Sequence, residues 1–522
     1  MQLDKVSLRD ARSFSPFFLD YIEKKESLIP FYNRFPLLQN FDQQMGDKQK
    51  SFPPEMRKNL VETLRHQYEG FTLSPALSEN LTLLELDRTF TITTGHQLNI
   101  FTGPLYFIFK IITVINTCKK LKAAYPESNF VPVFWMASED HDYEEIRKFK
   151  LNGGQYEWVT DQQGAVGRFK TNGLEKIADG LPGDTSLFKN AYKDQPNLAA
   201  AVRQYVNELF GTKGLVVIDA DDQSLKASLR DVMLQDITKQ VNRGIVDKTN
   251  DGLQALGYKP QIYCRDINFF YLDTGIRSRI EREGDLFKVV DTELSFSKTE
   301  IEKLIAEEPW KLSPNVILRP LYQEIILPNL AYVGGPAEVI YWLQLKGVFS
   351  HFQVPFPMLM PRNFGMVMNR EVARKFKKTG LTLPELFEEK NHLFNRWVMR
   401  HSSHTITVGK ERSAINELFE DLRKQASAID PTLAPFVGAE GKRALNSIER
   451  IERKMLRAEK RLHADKLRQI ESVKDALFPN GTLQERTDNF LNFYLNDRAF
   501  IEHLEQAFDP FDYQFNLLSY ST

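Results

Sequence analysis

A turn between a β-branched run and an apolar helix, TTGHQLNIFTGP at 93–104, is the first segment with residues suited to chemistry. Ligands of α/β sheets bind at the carboxyl ends of strands, and free amides at a helix start favour anions such as phosphate. We therefore predict a nucleotide-phosphate site at Gly95, Gln97 and Gly103, with His96 as a catalytic donor. A structural turn capped by His96 explains the spacing equally well. The segment matches neither the Walker loop nor the G-x-G-x-x-G fingerprint.

Four ionisable side chains follow the next apolar strand, in the run SEDHD at 138–142. Carboxylates at a strand end can bind an ammonium group, hold Mg²⁺ with several waters, or remove a proton. We predict that Glu139 contacts substrate and that Asp140, His141 and Asp142 are catalytic. The alternative is structural, because YEEIRKF follows as a plausible helix that Asp140 or Asp142 could cap.

Basic and polar side chains on other elements are further candidates. Arg319 and Arg362 are each predicted to end a strand, where they could hold a phosphate or carboxylate of a substrate. Glu338 and Tyr341 share one helix face after a Gly-Gly-Pro entry, and either contact substrate or only pack. Lys110 lies about two turns into an apolar helix, and its ammonium either extends to solvent or joins the nucleotide-binding residues.

The sequence predicts no metal site built by the protein itself. The two cysteines, Cys118 and Cys264, are far apart in the chain and cannot form a cysteine-rich zinc site or a disulfide framework. His401 and His404 stand among Ser and Thr, without the carboxylate spacing of a metal ligand set. We therefore expect no zinc.

An alternation of strand and helix patterns must position these candidate residues. Runs typical of core strands occur at 88–95, 129–138, 214–222, 315–320 and 356–362. Apolar helices at 105–125 and 334–349 complete βαβ units, which predicts an α/β fold with a Rossmann-like, doubly wound core. Two insertions interrupt the alternation: one near 150–212, with a hairpin and short helices, and one near 245–312, with paired strands at 260–275.

The chain becomes helical and charged after Arg370. Apolar residues then step by three and four in a heptad seam, at Ile448, Ile451, Met455, Ala458 and Leu462. The phase breaks after Leu462, so we predict an interrupted coiled coil within a helical hairpin arm, and a homodimer that forms through this arm. The predicted domains are a core at 1–370, a helical coiled-coil domain at 371–480, and a segment at 481–522 that packs back on the core.

Composition excludes several classes of function. The 522 residues carry 68 basic and 69 acidic side chains, a balance that argues against nucleic-acid and anionic-membrane binding. The most apolar run, LYFIFKIITVI, is interrupted by Lys110 and is too short to span a bilayer. The first residues lack the shape of a signal peptide. We predict a cytoplasmic protein without membrane or nucleic-acid partners.

Four motifs together resemble the bacillithiol cysteine-adding enzyme family, BshC, over essentially the whole chain. In order they are TTGHQLNIFTGPLYFIFK, VPVFWMASEDHDYEEI, NVILRPLYQEIILPNLAYVGGPAEVIYW and LFPNGTLQER. The resemblance implies a nucleotidyltransferase-like core with insertions and a coiled-coil domain that pairs two subunits. It also implies the last step of bacillithiol synthesis, an amide bond between cysteine and glucosaminyl malate. Around His96 the match to the His-x-Gly-His segment of class I nucleotidyltransferases is only partial, and no clear KMSKS loop is present.

The leading hypothesis is therefore an ATP-dependent ligase. A free carboxylate is unreactive toward amines, so cysteine must be activated as an adenylate or an acyl phosphate, with AMP or ADP as product and Mg²⁺ accompanying ATP. One alternative is a nucleotidyltransferase that acts on another acid or sugar. The other is a coiled-coil adaptor on a decayed enzyme core, and the intact polar cluster at 138–142 counts against it.

Overall fold

A parallel five-stranded sheet forms the centre of the protein, in a computed structural model that describes residues 1–520. Its strands are β1 (Thr89–His96), β2 (Asn129–Met136), β3 (Val216–Asp219), β4 (Asn329–Gly334) and β5 (Met358–Pro361). They lie side by side in the order β5-β4-β1-β2-β3, and every neighbouring pair is parallel. This is the strand order of the Rossmann fold, so the predicted fold class is confirmed.

The two central strands are buried along almost their whole length, because helices and loops cover both sheet faces. Helix α1 (Tyr106–Ala124) connects β1 to β2 and packs on both strands. In the register of the sheet His96 pairs with Met136, so the segments that follow β1 and β2 leave the sheet next to each other. The sheet therefore brings the two predicted polar segments together.

One core strand differs from the sequence prediction. The run at 315–320 is not a strand; it leads into helix α2 (Arg319–Ile326), and the next core strand is β4. Pro320 in the first turn suits a helix start, and Asn315 accepts a hydrogen bond from the Ile317 amide just before it. Arg319 consequently begins a helix and does not end a strand, whereas Arg362 directly follows β5 as predicted.

The helix predicted at 334–349 is interrupted. It consists of α3 (Pro336–Trp342) and a separate helix at Lys346–His351. The glycine entry is present: Gly335 is the residue that precedes α3, and Glu338 closes its first turn by accepting from the Gly335 amide.

The first insertion contains the predicted hairpin and short helices. Strand Lys148–Leu151 pairs with Gly154–Glu157, and the helices that follow are Leu174–Asp179, Ser186–Asp194 and Leu198–Phe210. After β3 come the helices Gln223–Lys226, Arg230–Lys239 and Val241–Ala255.

The second insertion is an antiparallel sheet that begins later than predicted. Residues 260–268 form no strand, and the sheet consists of Phe269–Asp273, Ile276–Glu283, Leu286–Val289, Ser295–Ser297 and Leu312–Pro314. Helix Lys298–Glu307 lies between the last two of these strands.

The two ends of the described chain meet in a three-stranded sheet. Gln514–Ser519 lies between Gln2–Ser7 and Phe364–Met368, and helix Phe500–Ala507 packs on α1. The N-terminal part is otherwise helical, with α-helices at Pro16–Ile22, Phe41–Ser51, Pro54–Gln67 and Pro75–Leu83.

A helical arm follows the core. After helices Arg370–Thr379 and Lys390–His401, helix α4 (Gly409–Ile429) packs against α5 (Ala434–Leu462), and Ala464–Leu477 continues after a break at His463. The break occurs where the heptad phase ends, as predicted. Within residues 1–520, no helix is both long enough and apolar enough to cross a membrane.

Candidate functional site

A cavity of about 340 Å³ opens at the carboxyl ends of β1, β2 and β4. Most of the predicted site residues line it: Gly95, His96, Gln97, Lys110, Glu139, Asp140, Arg319, Glu338, Tyr341 and Arg362. The inserted sheet contributes Arg277 to the wall, and the C-terminal segment contributes Arg486. The cavity therefore lies where open α/β sheets bind ligands, and its size is at the lower end for ligand sites.

His96 is a buried, uncharged imidazole in the cavity wall. It is 8% exposed and its ring lies 5.2 Å from the ring of Tyr106. Burial, together with the nearby Lys110 ammonium, lowers the pKa of His96 from 6.5 to about 3. Its Nε2 atom has no hydrogen-bond partner in residues 1–520. A buried polar atom normally has a partner, so this nitrogen is an unsatisfied group in the cavity wall.

Lys110 reaches into the cavity wall and does not extend to solvent. Its Nζ lies 2.6 Å from Oε2 of Glu338 and donates to the Gly95 carbonyl at 2.8 Å. Glu338 also accepts from the Tyr332 hydroxyl and from the Gly335 amide, both at 2.7 Å. Although burial opposes ionisation, these partners lower the pKa of Glu338 to about 2. Glu338 is therefore a counterion and helix-capping group whose acceptor positions are already occupied.

Asp140 is held by donors of the protein itself. Its carboxylate accepts from Nε2 of Gln97 at 2.5 Å and from the His141 amide at 2.7 Å, and it lies 3.7 Å from Nη1 of Arg277. Burial raises the pKa of Asp140, but Arg277 and these donors outweigh it and the pKa is lowered. A carboxylate stabilised in this way is a weak proton acceptor.

The last two members of the 138–142 run do not line this cavity. Asp142 is exposed and accepts from the Glu145 amide at 3.2 Å, which caps helix Tyr143–Ile146. His141 lies beside a neighbouring cavity, with its Nδ1 at 2.6 Å from Nη1 of Arg277. Capping, the structural alternative for Asp142, is the role that its contacts support.

Glu139 is buried and paired with a lysine that the sequence analysis did not identify. Nζ of Lys226 lies 2.6 Å from Glu139 and 2.9 Å from Asp221, and Asp221 in turn forms a two-point contact with Arg168. Lys226 itself is fully buried. Glu139 thus lines the cavity as one member of an ionic network with Lys226, Asp221 and Arg168.

The cavity arginines differ in how far the protein satisfies them. Arg362 donates to Glu485 at 2.5 Å and to the Asn363 carbonyl at 2.9 Å, so its charge is already neutralised. Arg319 lies over the rings of Tyr332 and Trp342, and across residues 1–520 no carboxylate comes within 4 Å of it or of Arg486. Arg319 and Arg486 are therefore the cavity cations that remain available to an anionic ligand.

Gly103 lies outside the cavity, contrary to the phosphate-site prediction. Its carbonyl and that of Phe101 each accept from Asn489 at 2.7 Å, and the Leu105 amide donates to Asp488. A side chain at Gly103 would place its Cβ 2.5 Å from Asn99, and the φ angle is +62°. The glycine is needed for a tight buried turn, and the backbone groups of that turn are occupied by the C-terminal segment.

Two family models match consecutive parts of the chain. The model described as "Bacillithiol biosynthesis BshC, N-terminal Rossmann-like domain" matches residues 1–363, and that of the "C-terminal coiled-coil domain" matches residues 365–520. The chain belongs to the BshC family. A relative from Flavobacterium psychrophilum is 40% identical over 538 residues and all of both chains, and one from Cytophaga hutchinsonii is 38% identical over 99% of both chains. Both are named "Putative cysteine ligase BshC".

Several cavity residues of this BshC family member were missed by sequence reasoning. They are Tyr106, Glu145, Arg277, Asn315 and Arg486. Arg486 lies in the quoted motif LFPNGTLQER, which could have drawn attention to it, whereas Arg277 stands on an inserted strand without any motif.

Within residues 1–520, no group of three or more His, Cys, Asp or Glu side chains could hold a metal ion. Cys118 and Cys264 are both buried, and burial raises the pKa of each thiol.

Proposed function

We propose that this BshC family member joins cysteine to glucosaminyl malate through an amide bond in the cytoplasm, with ATP activating the cysteine carboxylate. The observation that carries the proposal is a set of three cavity groups: two guanidinium groups without a carboxylate partner, Arg319 and Arg486, and Nε2 of His96, which has no hydrogen bond. Arg319 donates only to uncharged partners, Oε1 of Gln323 at 3.3 Å and the Tyr341 hydroxyl at 3.5 Å. A phosphorylated or carboxylate ligand would satisfy all three. The names of the relatives support a cysteine ligase.

The cationic wall suits the activation step. Attack of the cysteine carboxylate on a phosphorus of ATP builds negative charge on the phosphoryl oxygens, and fixed cations in a water-poor site stabilise that charge. Arg319 would hold the nucleotide phosphates together with neutral His96, which can donate from Nε2 when Nδ1 carries no proton. Lys110, which the sequence analysis placed among the nucleotide-binding residues, is paired with Glu338 and would position this wall.

Mg²⁺ would enter with the nucleotide. Glu139 and Asp140 are already engaged by Lys226 and by Gln97 and Arg277, so they do not form a ready cation cage. Mg²⁺ commonly keeps several waters and uses substrate phosphates as ligands. ATP would supply the group that activates the cysteine carboxylate. The protein's residues would hold the reactants in position and stabilise the charge that develops.

The exposed Arg486 suits the second substrate. Glucosaminyl malate carries malate carboxylates, and a guanidinium group binds a carboxylate in a planar two-point contact. Arg486 lines both the main cavity and a smaller one of about 220 Å³ that adjoins it. The malate end would lie there. The sequence analysis proposed Arg319 or Arg362 for a substrate carboxylate, and Arg362 would instead serve mainly to hold Glu485.

The test is a reconstituted reaction with the purified full chain, cysteine, glucosaminyl malate, ATP and Mg²⁺. We expect an ATP-dependent thiol product by mass spectrometry, and Arg319→Met should lower its rate by roughly 10²–10³-fold because one charge-stabilising donor is lost. The control is Arg9→Met, which removes an exposed arginine paired with Glu23. Equal rates for Arg319→Met and Arg9→Met would contradict the proposed site.

A further inference from the structure

The carboxylates that line the cavity are almost all neutralised by cations of the protein. Glu338 is paired with Lys110, Glu139 with Lys226, and Asp140 faces Arg277. These pairs leave no full negative charge for a ligand to meet. The exception is Glu145, which the sequence analysis did not identify.

Glu145 is fixed in place by its backbone, while its carboxylate remains free. Its amide donates to Asp142 at 3.2 Å and its carbonyl accepts from Nδ2 of Asn99 at 2.9 Å. Within the described residues, the carboxylate has no hydrogen bond and no cation within 4 Å. The adjacent Glu144, by contrast, points to Arg147 at 2.9 Å and does not line the cavity.

The surroundings of Glu145 favour a positively charged partner. The Glu145 side chain is exposed on one side. Desolvation by the protein around it and the neighbouring carboxylates of Asp142 and Asp140 raise its pKa, while Lys110 opposes them only in part. The same cavity is therefore lined by an unpaired carboxylate, Glu145, and by an arginine without a carboxylate partner, Arg319. The free Nε2 of His96, a side chain more than nine-tenths buried in the same cavity, is independent evidence that a ligand completes this site.

We propose that Glu145 binds the primary ammonium group of a substrate in this cavity. The inference rests on the proposed function, in which both cysteine and the amino sugar carry such a group. If the group is that of the sugar, Glu145 takes one proton from R–NH₃⁺ and leaves R–NH₂. The amine then attacks the activated cysteine carbonyl; the C–N bond forms, the C–O bond to the phosphate or AMP breaks, and the nitrogen loses a second proton to water.

The test compares ligands with and without the ammonium group, and it needs no turnover. Isothermal titration of the full chain would use glucosaminyl malate against its N-acetyl derivative, and cysteine against N-acetylcysteine. We expect the wild type to prefer one free amine by roughly ten- to hundredfold, the range of a charged hydrogen bond, and Glu145→Gln to abolish that preference. The matched control, Glu144→Gln, should keep it.

The two arms identify which substrate supplies the ammonium group. A preference confined to glucosaminyl malate assigns proton transfer to Glu145, and kcat for ligation should then fall by about 10²–10⁴-fold in Glu145→Gln. A preference confined to cysteine assigns ammonium binding alone. No preference in the wild type, or an unchanged preference in Glu145→Gln, would overturn the inference. Absence of a thiol product with the preference intact would instead count against the proposed reaction.

Discussion

At the scale of single residues, the polar groups that line the cavity fall into two classes: those that have hydrogen-bond or ionic partners within the protein, and those that do not. Glu338, Asp140 and Arg362 all line it, yet each is occupied by neighbours in the fold. His96 differs because it is buried, uncharged and without a partner at Nε2. Occupied groups position the site, and unsatisfied ones are left for ligands.

Burial of neutral His96 predicts a specific loss of stability in acid. Because its pKa falls from 6.5 to about 3, the unfolded chain binds a proton between these values that the folded chain does not. The contribution of His96 is therefore fully present above pH 6.5 and is lost progressively as the pH falls toward 3. By linkage the loss between pH 7 and pH 5 is about 2 kcal/mol in the free energy of unfolding.

The measurement is urea unfolding of wild type and His96→Gln at pH 7 and pH 5. The glutamine variant should show a drop between the two pH values that is smaller by about 2 kcal/mol, because its side chain does not titrate. His66→Gln changes an exposed histidine and should behave as wild type. Identical drops in all three proteins would show that His96 is not held neutral in the fold.

At the scale of elements, strands and helices with a clear local sequence pattern were predicted correctly, whereas those that depend on long-range contacts were not. RTFTITTG and NFVPVFWMAS carry β-branched and apolar runs, and both form central strands. The run NVILRP also contains β-branched and apolar residues, but Pro320 and Asn315 start a helix there, and the core strand is β4. A short apolar run has the same composition in a strand as at the start of a helix, so composition alone does not distinguish the two.

Residues that line the cavity were predicted to lie together where they follow strand ends, and were missed where tertiary contacts bring them in; their functional roles stay predictions. His96 and Glu139 follow directly from the βαβ pattern, because parallel strands end at one edge. Arg277 lies on an inserted strand and Arg486 in the C-terminal segment. The spacing of residues in the sequence does not indicate that these segments pack against the strand ends. Gly103 was placed in the phosphate site because no local pattern shows that Asn489, 386 residues away in the sequence, bonds to its carbonyl.

At the scale of the whole molecule, the C-terminal segment completes the cavity wall, and helix α5 of the arm exposes apolar side chains. Arg362 and Glu485 link the end of β5 to the C-terminal segment. On the arm, Ile451, Met455 and Leu462 are 50%, 37% and 72% exposed. Domain limits at 370 and 480 and a homodimer through the arm stay predictions.

The exposed seam predicts that two copies of the chain associate through α5. Replacing Ile451, Met455 and Leu462 together by Lys should give monomers with an unchanged core, because charges replace the apolar contact surface. Analytical ultracentrifugation at micromolar concentration measures the mass, and far-UV circular dichroism checks the fold. Asn446→Lys, which adds charge off the seam of the same helix, should leave a dimer. A wild type that sediments as a monomer would contradict this prediction.

The proposed reaction, the formation of bacillithiol in the cavity at the strand ends, can be tested in cells. The most direct test is the thiol content of cells that lack the chain, because it includes any partner that turnover requires. We predict loss of bacillithiol with accumulation of glucosaminyl malate, restored by the wild-type chain and not by an equally abundant Arg319→Met variant. Normal bacillithiol in the cells that lack the chain, or full restoration by Arg319→Met, would contradict the account.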